Sequence, residues 1–183
     1  MTYQDIESRF IIRKLPTDEQ ICHFDCKDDD LNDFIINDAP AYRKAMLAVT
    51  YLLEESETGK VAAYFSIAND RIGLLDFPEK RDFNRFRKHK FVNEKRLKSY
   101  PAAKICRLAI DADYKGKGIG SYLLKFIKTY YIADDKAGCR FLTVDAYTDA
   151  VQFYLKNDFV TLSEGDATSK TRLLYFDLND LTD

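Results

Sequence analysis

The sequence is poor in what several common chemistries require. Histidine occurs only twice, at His23 and His89, and cysteine four times, at positions 22, 26, 106 and 139. Cys22, His23 and Cys26 form the one group that looks like a ligand set. Their spacing is not C-x2-C and no second pair follows at finger distance, so no metal is expected. On a helix, Cys22 and Cys26 simply share a face. The irregular cysteine spacing also gives no disulfide framework, which agrees with a cytosolic setting. Long apolar runs are missing: the longest, Ala45 to Leu53, is far short of the roughly 20 residues a membrane span needs. The stretch from Met1 to Arg9 is polar and carries no apolar signal segment. Repeats and low-complexity linkers are absent. What is present is the composition of an ordinary folded chain, 46% hydrophobic and 14% aromatic with a net charge of −2 over 183 residues. One sizeable core, a single domain over 1–183 and a cytoplasmic location are expected, with no membrane partner.

The most informative run is Cys106-Arg107-Leu108-Ala109-Ile110-Asp111-Ala112-Asp113-Tyr114-Lys115-Gly116-Lys117-Gly118-Ile119-Gly120-Ser121-Tyr122-Leu123-Leu124. It reads as an apolar strand, a short acidic turn, a glycine-rich loop and the start of an amphipathic helix. Alternating glycines let the backbone bend tightly and approach a ligand without a Cβ in the way. A helix opening behind them points unpaired N–H groups and its positive dipole end into the loop, which makes an anion site. Lys115 and Lys117 add charge, so a phosphate or pyrophosphate is the natural guest. Spacing excludes a P-loop, because Gly116 is not followed at the required distance by Gly-Lys-Ser/Thr. It excludes the dinucleotide fingerprint as well, because no glycine stands at 121 or 123. Read alone, the loop fits equally well a tightly packed strand–turn–helix.

The pattern that does fit resembles the pyrophosphate loop of the GNAT N-acetyltransferases, [Gln/Arg]-x-x-Gly-x-[Gly/Ala], with Lys115, Gly118 and Gly120 in the fixed positions and Lys115 in place of Gln or Arg. A backbone-built anion site tolerates that change, since lysine still supplies a positive donor. The resemblance implies that Leu108, Ala109, Ile110, Lys115, Gly116, Lys117, Gly118, Ile119, Gly120 and Ser121 bind acetyl-CoA as co-substrate. A second segment, Ala150 to Phe159, resembles the family's A-x-x-[Phe/Leu]-Tyr-x-x-x-Gly-Phe. It implies that Tyr154 is catalytic and protonates the departing thiolate, a role that suits a phenol beside a thiol. A core aromatic with its hydroxyl at the rim is the alternative for Tyr154. Asp158 departs from the family glycine, and Tyr147 stands where many members carry asparagine. Phe24-Asp25-Cys26-Lys27-Asp28-Asp29-Asp30-Leu31-Asn32-Asp33-Phe34 resembles the F-D-C-G-x-x-x-L-[Asn/Asp]-x-F opening of the subgroup that contains tRNA-acetylating toxins.

The order of elements agrees with that family. Strands are expected at 10–15, 48–54, 61–68, 104–110, 140–146, 159–162 and 171–177. Helices are expected at 17–20 (a capping-box signature), from Asp28 with an end or a kink at Pro40, at 119–131 and at 149–157. The resulting fold class is α/β (α+β): one GNAT-type domain with a mixed, mostly antiparallel, twisted sheet of about six to seven strands flanked by helices. Between Lys80 and Lys98 lies a basic insert. It has nine lysines and arginines against Asp82 and Glu94, a local charge of +7, while the rest of the chain carries −9. Phe83, Phe86, Phe91 and Tyr100 interleave with these charges. The favoured reading is a solvated amphipathic helix with its phenylalanines inward and His89 as a surface polar residue; a phosphate-binding segment is the other.

The expected activity is transfer of an acetyl group from acetyl-CoA to a primary amine by direct attack. A small-molecule or protein amine ranks first as acceptor, because the acidic remainder would repel a polyanion. An aminoacyl-tRNA-acetylating toxin is the alternative. A non-catalytic acyl-CoA-binding or partner-binding module is the alternative of another class. A homodimer is compatible with the sequence. No general base is assignable, Asp145 being a carboxylate that could act through water.

Overall fold

A computed structural model describes residues 1–91, 97–133 and 137–182. Seven strands form one mixed sheet in the order β1-β2-β3-β4-β5-β7-β6. They are β1 (Phe10–Lys14), β2 (Val49–Glu55), β3 (Val61–Gly73), β4 (Ser99–Ile110), β5 (Phe141–Tyr147), β6 (Val160–Thr161) and β7 (Thr171–Asp177). The helices are α1 (Tyr3–Arg9), α2 (Asp29–Asp33), α3 (Ala39–Lys44), α4 (Lys80–Lys90), α5 (Ile119–Ala133) and α6 (Val151–Leu155). Strand pairs β1–β2, β2–β3, β5–β7 and β6–β7 are antiparallel, whereas β4 runs parallel to β5 over Ala102–Lys104. The chain divides into two compact units, Met1–Ala68 with Ile105–Thr129, and Asn69–Lys104 with Tyr130–Asp183.

In the first unit, α1 opens on a reciprocal cap. Thr2 accepts the Asp5 N–H through its hydroxyl while the Asp5 carboxylate takes the Thr2 N–H, at 3.2 and 2.8 Å. Leu15, Ile21, Phe24, Cys26, Phe34, Ile35, Leu52, Tyr64 and Ala109 close one core. Two helix expectations fail here. Thr17–Gln20 is not helical, because the Glu19 carboxylate forks onto Arg13 together with Glu54, and the chain runs on irregularly to bury Ile21 and Phe24. Pro40 neither ends nor kinks a helix but stands in the first turn of α3, where a missing N–H costs nothing. The break falls earlier, in the π-helical turn Phe34–Asp38.

In the second unit, Ile72, Phe77, Phe83, Tyr100, Ala102, Phe141 and Leu162 form another core, with Phe86, Phe91 and Tyr175 against it. The phenylalanines of the basic insert therefore point inward, and Phe91 stacks on Tyr100 at 4.1 Å. The buried Asp177 carboxylate holds the layers together, taking Lys90 Nζ at 2.9 Å and Arg140 Nε at 2.8 Å. Glu94, Lys95, Arg96 and the His89 side chain lie outside the described residues.

Helix α3 ends in a Schellman turn: Leu47 N–H bonds Tyr42 C=O at 2.9 Å and Met46 N–H bonds Arg43 C=O at 3.1 Å. The left-handed position belongs to Met46, at φ 59° and 88% exposed. That geometry costs a residue with a Cβ about 1–2 kcal/mol, and glycine gives back about 0.5–1 kcal/mol in chain entropy. Met46→Gly should therefore stabilise by about 0.5–1 kcal/mol, raising the melting temperature by about 1–4 °C. Thermal denaturation checks this, and a lowered melting temperature would show that the Met46 side chain makes a stabilising contact.

Candidate functional site

The glycine loop is built on the carboxyl end of β4. Asp111, 7% exposed, gives its N–H to Ala62 C=O at 2.9 Å and accepts the N–H groups of Asp113 and Asp25, each at 3.1 Å. Ala112 N–H returns to Asp25 C=O at 2.8 Å. The Phe24–Phe34 segment thus clasps the start of the loop. Its own turn is fixed by Asn32, whose Oδ1 takes the Cys26 N–H at 2.9 Å and whose Nδ2 donates to Asp25 at 3.2 Å. A hydrogen bond from the Lys27 side chain, with lesser ones from the Lys27 backbone and Asn32, holds the Asp25 carboxyl down at about 2. The stability it lends is present above its ordinary value of 3.8 and is lost as pH falls through about 2.

Tyr114 then turns inward, 6% exposed, with the edge of Phe10 at 5.6 Å and the ammonium groups of Lys60 and Lys117 at 5.3 and 5.1 Å from its ring. Gly116 and Gly118 sit at φ +73° and +83°. A Cβ at Gly116 would meet nothing within 4 Å, and one at Gly118 would make only ordinary contact with Met1 C=O at 3.6 Å. The loop therefore needs glycine for its left-handed backbone rather than for space. Ile119, 1% exposed, plugs the head of α5, and Leu123, Leu124 and Ile127 bury its inner face. The first bond at the head of α5 runs from Tyr122 N–H to Gly118 C=O at 3.1 Å. The N–H groups of Ile119, Gly120 and Ser121 precede it and have no partner within the helix. An open glycine cradle ending in these donors fits a pyrophosphate.

The lysines do not point into the cradle as the sequence suggests. Lys115 Nζ donates to Cys26 C=O at 2.6 Å and Lys117 Nζ to Asp113 C=O at 2.7 Å. Both staple the loop while leaving their charge beside it. On β4, Ala109 is buried in the first core and Leu108 and Ile110 are half-buried. The structure thus gathers every loop and strand residue named from the sequence into the first unit. What sequence reading missed is the clasp: Asp25 and Asp111 are 86 positions apart, and only the shared Asx-type turn chemistry of the two aspartates hints at it.

Tyr154 belongs to the second unit, on α6. It is 6% exposed, with ring centroids of Phe153 and Phe159 at 5.1 and 5.5 Å. Burial pushes its phenol well above the ordinary value of 10. No described residue hydrogen-bonds its hydroxyl. Helix α6 ends in the same Schellman turn as α3, with Phe159 N–H on Tyr154 C=O at 3.1 Å and Asp158 N–H on Leu155 C=O at 3.2 Å. Asp158 takes the left-handed position at φ 65°, and Lys27 is likewise left-handed at φ 63°. Both departures from family glycines thus keep the glycine backbone. Asp145 receives the Lys104 ammonium, and Tyr147 is 58% exposed at the end of β5.

The sequence profile of the GNAT acetyltransferase domain matches residues 86–177, half of the chain. The chain belongs to the GNAT acetyltransferases. As a member it is an acetyl-CoA-dependent N-acetyltransferase. No curated protein matches it in sequence. Among solved structures, a tyrosine-to-phenylalanine mutant of KacT superposes with a TM-score of 0.76 at 20% identity, over 95% of this chain and 98% of that one. AtaT complexed with acetyl-methionyl-tRNAfMet gives 0.75 at 21%, over 94% and 97%. AtaTR bound with acetyl-CoA gives 0.71 at 21%, over 96% and 97%. Among the described residues of this GNAT chain, no group of three or more metal-ligating side chains is found, and no helix is long and apolar enough to cross a membrane.

Acetyl-CoA should raise the melting temperature of the acetyltransferase, by the equivalent of about 2.7 kcal/mol at 100 times its Kd. Gly120→Asp, which puts a carboxylate among the helix-head N–H groups, should abolish that rise. Differential scanning fluorimetry with and without acetyl-CoA decides, and an undiminished rise in the variant would remove the loop as the pyrophosphate site.

Proposed function

We propose that the acceptor is the α-amino group of an aminoacyl-tRNA. The observation that carries this reading is the end-to-end likeness to AtaT in complex with acetyl-methionyl-tRNAfMet. Proton chemistry supports it. An α-amino group titrates near 7.7–8.0, so roughly a fifth of it is already neutral at about pH 7.3, whereas a lysine amine near 10.4 must first lose a proton to a base. The carboxylates whose pKa values are displaced include Asp25, Glu55 and Asp113, and hydrogen bonds to their partners displace each of them downward, making them weaker bases. Asp145 is occupied by Lys104. An acceptor that needs no base suits this chain.

Charge supports the reading too, and reverses the ranking drawn from composition. Arg81, Arg85 and Lys88 are all exposed and lie at i, i+4 and i+7 on α4, one stripe opposite the buried Phe83 and the half-buried Phe86. A local basic stripe attracts a polyanion whatever the net charge of the chain. Replacing Arg85 and Lys88 by alanine should weaken tRNA binding about uniformly across sequences and lower its salt slope by about 2. Filter binding at several salt concentrations measures this, and an unchanged slope would exclude the stripe.

In this reading the helix-head N–H groups hold the pyrophosphate, and the Leu108–Ile110 backbone lines the pantetheine arm. Acetyl-CoA bound there supplies the acetyl thioester. The amine nitrogen attacks the carbonyl carbon, the C–N bond forms, the C–S bond breaks and the amine releases its proton to water. Tyr154 hydrogen-bonds the sulfur as negative charge develops and gives it a proton, which water then restores to the phenol. Burial keeps the phenol protonated until it is needed, and the same apolar setting raises the affinity of the departing thiolate for that proton. Tyr154→Phe should lower kcat by about 100-fold or more with acetyl-CoA affinity intact. Acetylation of charged tRNA by the wild type, followed by mass of the aminoacyl adenosine released by nuclease, tests the acceptor. Acetylation of free amines with no reaction on charged tRNA would overturn it.

A further inference from the structure

Arg107 is left in an unusual position. It projects from β4 on the face shared with the buried Ile105 and Ala109, and its guanidinium carbon lies 4.1 Å from the centroid of the Phe34 ring. Phe34 is itself 2% exposed and fixed by Tyr64 and Tyr42, with centroids at 6.1 and 5.3 Å. The Arg107 Nε is buried, and no described residue accepts its hydrogen. The nearest carboxylate, the exposed Asp30, stays 4.0 Å from Nη2. Buried donors are satisfied in the great majority of folded proteins, so an orphan on a rigidly stacked guanidinium calls for an acceptor from outside the chain. Stacking fixes the plane of the fork, and a planar fork is the geometry that phosphate oxygens match in pairs.

We propose that Arg107, held flat against Phe34, binds a phosphodiester of the tRNA acceptor end. The inference rests on the aminoacyl-tRNA reading above and adds a residue to it. The phosphates of the co-substrate are the other source of the same chemistry, and distance disfavours them. Arg107 precedes Asp111, where the loop begins, by four strand residues, about 13 Å at 3.3 Å per residue. That is farther than an arginine side chain spans, and the pyrophosphate cradle lies beyond it at the head of α5. The Phe24–Phe34 segment would then serve twice, with Asp25 holding the loop and Phe34 holding the arginine.

The test compares full-length wild type with Arg107→Met and Arg107→Lys. It uses three substrates: charged tRNA, an amino-acid methyl ester that carries no phosphate, and acetyl-CoA. In Arg107→Met the KM for charged tRNA should rise about 10- to 100-fold, the size expected for losing charge-assisted hydrogen bonds. The KM values for the ester and for acetyl-CoA should move less than twofold, and the salt slope of tRNA binding should fall by about 1. Arg107→Lys, which keeps charge without the fork, should restore the slope but only part of the KM. It also reports if the methionine variant fails to fold. A rise in the KM for acetyl-CoA would transfer the site to the co-substrate and overturn the proposal. Equal rises for ester and tRNA would reduce Arg107 to a packing role. Unchanged tRNA kinetics in an active variant would remove this proposal alone, whereas a wild type inactive on charged tRNA would remove the aminoacyl-tRNA reading with it.

Discussion

The carboxylate of Asp111 accepts two backbone N–H groups, one from Asp113 two residues further on and one from Asp25, 86 positions upstream. A charged acceptor serving two amides in a buried setting is among the stronger hydrogen-bond arrangements available to a protein. It sets where β4 ends and in which direction the chain leaves. The left-handed glycines, the orientation of α5 and the exposure of its first N–H groups all follow from that direction. The Lys115 ammonium on the Cys26 carbonyl closes the same joint from the far side. Backbone amides can act as a preorganised site only if the backbone is rigid, and the glycine loop is braced by a segment 86 positions upstream.

The second unit is organised by a comparable device, again a buried carboxylate, which gathers cations in place of backbone amides. Asp177 is 3% exposed at the end of β7 and gathers Lys90 from α4 and Arg140 from the entry to β5. With two cations on it, the carboxylate keeps a counter-charge when either one is lost; only the loss of both would leave a buried charge uncompensated. The pairing uses the innermost cation of the insert as structure and leaves Arg81, Arg85 and Lys88 facing water. A run of like charges is thereby divided between holding the fold and presenting a surface.

The two departures from family glycine show how little a motif depends on its letter. Asp158 and Lys27 both hold left-handed backbone, and in the α6 turn the Schellman bonds that place Phe159 beside Tyr154 are intact. Aspartate visits this region more readily than most residues. Lysine does so less readily, and its ammonium on Asp25 offsets part of the strain. The phenol of Tyr154 is therefore positioned by a helix end that keeps the Schellman geometry without a glycine.

Local pattern carried much of this protein. The seven strands, the helix after the loop, the glycines at 116 and 118 and the inward phenylalanines of the insert were legible because periodicity and turn chemistry act over a few neighbouring residues. Boundaries and interruptions were less so. The helix promised by Thr17–Gln20 gave way to an ion pair between Glu19 and Arg13, and Pro40 opened a helix rather than ending one, since the fate of a proline depends on where the preceding turn breaks. Tertiary structure alone decided that Asp25 braces Asp111, that Lys115 and Lys117 turn away from the cradle, and that Arg107 lies on Phe34 with a donor unspent. Each of these joins residues far apart in the chain or selects among rotamers of a long side chain, and neither choice leaves a trace in spacing or composition.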